Sequence, residues 1–245
     1  MIEKIYLIGM GPGDPKYLTL YAVETIKKLK LFLIPAKTGK KSDLTQMRKK
    51  IISFVKRKKD YRIIEIPFPE RKKGDKYKNL VEEWREIKAN ILKNILQKET
   101  KKEAGFIVWG DPSLYDGYIE IFKNLQKKLN FEIEIIPGIS AFQVLSAKHK
   151  ISLTQIAGTT IFTTPRQLRK MKNIECNTVV FLDNYKTYKI FANSDLKIYW
   201  GAYLGTEKEV LFSGRLKDVI EELIRLRDKL KKEKGWIMET YFLIP

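Results

Sequence analysis

Two apolar runs in this chain end in the same device. Ile5-Tyr6-Leu7-Ile8 runs into Gly9-Met10-Gly11-Pro12-Gly13-Asp14-Pro15, and Phe106-Ile107-Val108-Trp109 runs into Gly110-Asp111-Pro112-Ser113-Leu114-Tyr115-Asp116. Each reads as a buried strand stopped by glycine, then an aspartate that can cap a helix and a proline suited to its first turn. In an open α/β sheet, ligands bind beyond the carboxyl ends of the strands, where such turns lie. The pattern predicts an α/β fold with its site at these two loops.

The first half continues the alternation, which predicts a parallel sheet. Residues 4–8, 31–34, 62–66, 105–109 and 132–136 read as strands, the second stopped by Pro35. Between them, helical spacing links Leu18, Ala22, Val23, Ile26 and Leu29, then Leu44, Met47, Ile51 and Val55 behind a capping Ser42. Leu80, Trp84, Ile87, Ile91 and Ile95 mark a long amphipathic helix, and Tyr118, Ile121, Phe122, Leu125 and Leu129 another. A charged loop spans 70–76, and Pro137-Gly138 breaks the fifth strand. This predicts a parallel-sheet N-terminal domain over 1–137 and a C-terminal domain over 138–245. In the latter, strands at 159–163, 178–182, 197–203, 210–213 and 236–244, with one helix through Leu216, Val219, Ile220, Leu223 and Leu230, predict a mixed sheet.

Composition narrows the setting. At 245 residues and 44% hydrophobic, the chain can bury a real core. It has no apolar run near the ~20 residues that span a bilayer, and residues 1–4 read as the approach to a strand rather than a signal peptide. Cys176 is the only cysteine, so no intrachain disulfide forms and a cytoplasmic protein is expected. A net charge of +19 attracts polyanions, whether nucleic acid, acidic membrane or a polycarboxylate small molecule. The lysines are dispersed, as at Lys49-Lys50, Lys72-Lys73, Lys101-Lys102 and Lys231-Lys232, which argues against one nucleic-acid face.

Familiar site motifs fail on inspection. A dinucleotide fingerprint wants its third glycine where Asp14 stands, a carboxylate that would oppose a pyrophosphate. No lysine of the phosphate-cradling kind follows the glycines. His149 is the only histidine and has no Cys or paired carboxylates at ligand spacing, so no metal site is expected. Cys176 sits in a polar connection with no base in reach of its sequence context.

The first loop, Gly110-Asp111-Pro112 and Ile136-Pro137-Gly138-Ile139-Ser140-Ala141 occur together in this order, and in this the chain resembles the tetrapyrrole (corrin/porphyrin) methylases over essentially its whole length. The resemblance implies a two-domain α/β fold, a homodimer, and S-adenosyl-L-methionine held in the cleft between the domains, with S-adenosyl-L-homocysteine as product. It places Pro12, Gly110, Asp111, Leu114, Ser140, Ala141, Leu182, Ala202 and Thr240 at the cofactor. Leu182 falls where members often carry methionine beside the adenosine.

Within the family, four stretches resemble the branch that makes precorrin-6A with loss of acetate: Lys41-Ser42-Asp43-Leu44, 109–116, 140–149 and Gly235-Trp236-Ile237-Met238-Glu239-Thr240-Tyr241. That resemblance implies cobalamin biosynthesis and methylation of precorrin-5, a polycarboxylate tetrapyrrole, at C1. The rivals are another precorrin methyltransferase, such as the precorrin-2 C20 enzyme, and an rRNA methyltransferase of the same fold. Methyl transfer needs little beyond alignment, whereas releasing acetate needs water, a base and a polarising donor. Asp14, Tyr115 and Asp183 are the loop residues that could serve, and Arg166 could bind a substrate carboxylate.

Overall fold

The computed structural model describes residues 2–36, 39, 42–72, 74 and 77–245. Met1, Lys41, Lys73 and Lys76, named in the stretches above, lie outside the described residues. The chain divides into two compact units, Met1–Ile139 and Ser140–Pro245.

The first unit alternates β1 (Lys4–Gly9), α1 (Leu20–Lys28), β2 (Leu31–Ala36), α2 (Ser42–Lys56), β3 (Arg62–Pro67), α3 (Tyr77–Lys98), β4 (Glu103–Val108), α4 (Tyr118–Gln126) and β5 (Glu132–Ile136). Its strands form one parallel sheet in the order β3-β2-β4-β1-β5. Right-handed crossovers put α1 and α2 on one face and α3 and α4 on the other, because the first two connections run one way along the sheet and the next two run back. Side chains divide accordingly. Tyr6, Ile8, Phe32 and Ile34 pack with Ala22, Ile26, Ile51 and Ile52, while Ile5, Leu7, Leu31, Leu33 and Phe106 pack with Leu92, Leu96, Ile121 and Phe122. Burial on both faces is why these strands read as continuous apolar runs.

Three local expectations are corrected. Pro35 does not stop β2: it stays in register with Ile66 of β3, and on the other side the ladder to β4 has already ended at Leu33–Phe106, so its missing N–H costs no bond there. The buried stripe of α3 is Lys88, Leu92 and Leu96, one position round from the predicted one, leaving Ile87 exposed. Asp111 does not cap α4. That helix starts at Tyr118 behind Gly117, and the intervening residues form turns.

The second unit comprises α5 (Ala141–His149), β6 (Thr160–Thr163), α6 (Pro165–Leu168), β7 (Asn177–Phe181), β8 (Lys197–Ala202), β9 (Val210–Arg215), α7 (Leu216–Lys234) and β10 (Glu239–Ile244), with a 3-10 turn at Thr187–Phe191. The sheet is mixed, in the order β6-β7-β10-β8-β9, with only β6 and β7 parallel. Leu216, Ile220 and Leu223 of α7 pack on Ile198, Trp200 and Tyr241, and α5 packs on β8 and β10. The last strand begins later than the apolar pattern at Trp236, because α7 runs to Lys234 and closes on Gly235 in the left-handed region.

Candidate functional site

In the first unit the carboxyl ends of β4, β1 and β5, three neighbours in the sheet, are tied together by main chain. Gly11 N–H donates to Gly110 O at 3.3 Å and Gly110 N–H to Gly11 O at 2.9 Å, while Met10 N–H donates to Val108 O. Asp111 Oδ2 accepts Gly138 N–H at 2.8 Å and Oδ1 accepts Ser113 N–H at 2.8 Å. The approach is so close that a Cβ on Gly138 would lie 2.2 Å from Gly110 O, and one on Gly9 2.7 Å from Gly138 Cα. The two loops singled out in the sequence therefore meet at Gly11 and Gly110, with Pro12 next to Gly11 in the chain and Leu114 in the turn behind Asp111.

Asp14 caps the 3-10 turn Pro15–Tyr17, accepting Lys16 N–H at 2.9 Å, with Lys16 Nζ 3.0 Å from its other oxygen. The Lys16 N–H chiefly, against the penalty of burial, holds the Asp14 carboxyl below its ordinary value. That suits a cap and makes a weak base. Tyr115 is exposed and left-handed, with φ of 55°, and burial of its hydroxyl end raises it further from titration.

Beside this loop lies a charged group that sequence reasoning missed. Where β2 and β4 part beyond Leu33–Phe106, the buried Arg48 of α2 donates through Nε to Ile107 O at 3.2 Å and through Nη1 to Leu44 O at 3.0 Å. Lys88 of α3 is also buried, its Nζ 3.9 Å from the Trp84 ring centre, 4.0 Å from Tyr118 and 5.0 Å from Phe68. Asp116, partly buried, feels both charges and accepts Tyr118 N–H at 3.1 Å. Burial pushes its carboxyl up to about 6, against the pull of the Tyr118 N–H and the charges of Lys88 and Arg48. The sequence signal was a lysine in step with Trp84, Leu92 and Leu96 on the apolar side of a helix.

In the second unit Leu182, Ala202 and Thr240 come to one end of the sheet. Thr240 is paired with Phe181 on one side and Gly201 on the other, and Ala202 with Glu239, while Leu182 follows Phe181 directly. Leu182 is left-handed, φ 60°, and 61% exposed, an unusual combination for an apolar residue. Phe181 and Phe162 stack at 6.3 Å, with Phe142 edge-on to Phe162 at 4.9 Å, so an apolar surface flanks it. Ser140 and Ala141 open α5, where Gln143 Oε1 accepts Ser140 N–H at 2.8 Å. Arg166 lies exposed in the short α6.

Asp183 has a framework task instead of the catalytic one considered above. Buried at 1% exposure, it accepts Thr187 N–H at 2.6 Å, Tyr241 O–H at 2.7 Å, Tyr185 N–H at 2.8 Å and Thr187 O–H at 3.0 Å. A carboxylate so committed has no lone pair to spare for water. Next to it Arg227 pairs with Glu239, which also accepts Trp200 Nε1–H at 2.7 Å. Among the described residues no group of His, Cys, Asp and Glu could hold a metal, and no helix is long and apolar enough to cross a membrane.

The first unit thus carries a glycine-walled main-chain loop, and the second an exposed leucine beside phenylalanines. The sequence model of the tetrapyrrole (corrin/porphyrin) methylases matches residues 4–220. A precorrin-6A synthase [deacetylating] of Sinorhizobium is 34% identical over 99% of this chain and 95% of its own. A crystal structure described as a cobalamin synthesis related protein, CobF, from Corynebacterium diphtheriae superposes with a TM-score of 0.84 at 31% identity, covering 100% of this chain and 99% of that one. A uroporphyrin-III C-methyltransferase of Thermus thermophilus, solved with S-adenosylhomocysteine, shares the fold at a TM-score of 0.62 and 16% identity, over 98% and 91% of the two chains.

Proposed function

The chain belongs to the tetrapyrrole (corrin/porphyrin) methylase family, and from that premise we propose that it is an S-adenosyl-L-methionine-dependent C-methyltransferase of cobalamin biosynthesis that converts precorrin-5 to precorrin-6A, methylating C1 and releasing acetate. The observation that carries this reading is likeness along the whole chain, 34% over 99% of it, to a relative named for that reaction.

Pro12, Gly110, Asp111 and Leu114 in the first unit, and Ser140, Ala141, Leu182, Ala202 and Thr240 in the second, are the residues proposed to hold the cofactor. Bound there, S-adenosylmethionine supplies a methyl group on a sulfonium that is already a good leaving group. The chain's own part is alignment. Main chain locked by Gly9, Gly110 and Gly138 gives a rigid loop, and fixing a near-attack geometry is worth several powers of ten in rate. The excess positive charge of +19 favours capture of a macrocycle rimmed with carboxylates, with Arg166 a candidate contact. A homodimer in the cytoplasm completes the reading.

The test is to incubate the purified protein with methyl-labelled S-adenosylmethionine and a precorrin-5-generating mixture, then follow the macrocycle and free acetate by mass spectrometry. A labelled macrocycle with equimolar acetate is expected. Methylation without acetate would reassign the chain to another ring position, and label in RNA would reassign it to nucleic acid.

A further inference from the structure

The reaction just proposed needs a proton acceptor for water, and the three residues considered from sequence do not supply one: Asp14 is a cap paired to Lys16, Asp183 is saturated, and Tyr115 is raised further from titration. Asp116 differs from all three. It lies at the end of the loop that begins with Gly110 and Asp111, between the left-handed Tyr115 and Gly117, and it stays partly open. One hydrogen bond, from Tyr118 N–H, is recorded to its Oδ1. The charges of Arg48 on α2 and Lys88 on α3 act on it, and Tyr118 of α4 supplies the N–H. They gather where β2 and β4 part, at the change of crossover face, which is where sheets of this kind open to ligands.

We propose that Asp116 is the proton acceptor of the acetate-releasing step, an inference that rests on the acetate-releasing reading above. Water adds through its oxygen to the acetyl carbonyl carbon, and its proton passes to the Asp116 carboxylate. The bond between the acetyl carbon and the macrocycle carbon breaks and acetic acid departs. The electron pair stays on the macrocycle carbon, which is thereby left as the nucleophile that the methylation requires. Lys88 and Arg48 keep the surroundings positive, which favours the negative charge that develops on the carbonyl oxygen. A base is most effective when its own affinity for protons sits close below the working pH, and burial sets this carboxyl at about 6.

The experiment compares wild type, D116N and D116E in acetate release from precorrin-5 in 18O water, with S-adenosylhomocysteine binding measured by calorimetry as the check on folding. Asparagine keeps an acceptor for Tyr118 N–H, so D116N is expected to bind S-adenosylhomocysteine like wild type yet release acetate at least ~100-fold more slowly. D116E is expected to recover part of the rate. In wild type the single-turnover rate of acetate release rises with pH through about 6, and that limb is expected to move in D116E. Acetate release by D116N within about tenfold of wild type would overturn the proposal. So would a wild-type profile flat from about pH 5 to about pH 8, a readout that stands even if the variants misfold. Wild type that methylates but frees no acetate would overturn the functional reading itself, and this inference with it.

Discussion

Asp111 Oδ2 accepts the main-chain N–H of Gly138 at 2.8 Å, so one carboxylate ties the end of β4 to the end of β5 across β1. The other oxygen holds Ser113 N–H, which fixes the loop that leads to Leu114 and Asp116. Replacing Asp111 by alanine leaves both N–H groups without this acceptor, at a cost of about 2–3 kcal/mol for bonds to a charged group. D111A is expected to lower the unfolding free energy measured in urea by that amount and to weaken S-adenosylhomocysteine binding, whereas D111N, keeping one acceptor, loses about half as much. Equal stability of D111A and wild type would show that the tie contributes nothing.

Gly138 tests the same junction from the other side. An added Cβ would stand 2.2 Å from Gly110 O and 2.9 Å from Gly9 Cα, and both neighbours are main chain that cannot swing aside. G138A is expected to destabilise the fold by about 2 kcal/mol or more, in line with overpacking at a fixed site. It should also reduce cofactor affinity, because the loop can accommodate the methyl only by separating the strand ends. Calorimetric titration with S-adenosylhomocysteine beside a thermal melt reads both effects.

Leu182 predicts opposite signs for stability and binding. A leucine held at φ 60° pays of order 1 kcal/mol for that conformation, and with 61% exposure it gains little by burial. L182G should therefore raise the unfolding free energy by roughly 0.5–1 kcal/mol. If the side chain covers the adenosine, the same variant should bind S-adenosylhomocysteine about tenfold more weakly, the effect of losing one apolar contact of this size. Unchanged affinity would remove Leu182 from the site.

How much of this was legible in the sequence depends on the range of the forces involved. The parallel sheet was readable because Ile5 to Ile8 and Phe106 to Val108 are apolar on both faces and end at glycine, which is a local property. The meeting of Gly11 with Gly110 was only suggested, since it depends on strand order that no local pattern encodes. Asp111 looked like a helix cap because an aspartate before proline usually is one. Its carboxylate went to Gly138, a residue 27 positions away. Asp183 looked like a loop acid free for chemistry because its partner Tyr241 comes from a strand 58 residues on. The burial of Lys88 and Arg48 depends on the same long range: the Phe68 and Tyr118 rings and the Ile107 carbonyl, brought by other elements, are what make it tolerable.

The Arg227–Glu239 pair, both side chains at 1% exposure, anchors α7 to β10 and underlies Trp200. Burial above all, partly offset by Arg227, raises the Glu239 carboxyl. Removing one partner leaves the other charge buried alone, so R227A is expected to cost about 3–5 kcal/mol, while the double variant R227M/E239L should recover most of it. Chemical denaturation of wild type, R227M, E239L and the double variant forms a cycle whose coupling energy measures the pair. A small coupling would mean that α7 is held by Leu216, Ile220 and Leu223 alone.

Asp116 carries a pH signature in stability as well as in turnover. Folding moves its carboxyl from an ordinary 3.8 up to about 6, so the folded state holds the proton more tightly than the unfolded chain. The sign follows: this group's favourable contribution is complete below about 3.8 and is lost as pH rises through about 6. Asparagine resembles the protonated acid and cannot ionise. D116N is therefore expected to exceed wild type in stability at pH 8 by about 2 kcal/mol, allowing for solvent screening of a partly open group, and to match it near pH 4. Other carboxylates, such as Asp14 and Glu134, are held below their ordinary values, by hydrogen bonds to Lys16 and to Lys4 foremost, and weaken the fold in acid, so the wild-type curve alone mixes opposing trends. The difference between the two curves isolates Asp116. A constant offset from about pH 4 to about pH 8 would mean that its carboxyl titrates in the folded protein as it does in the unfolded chain.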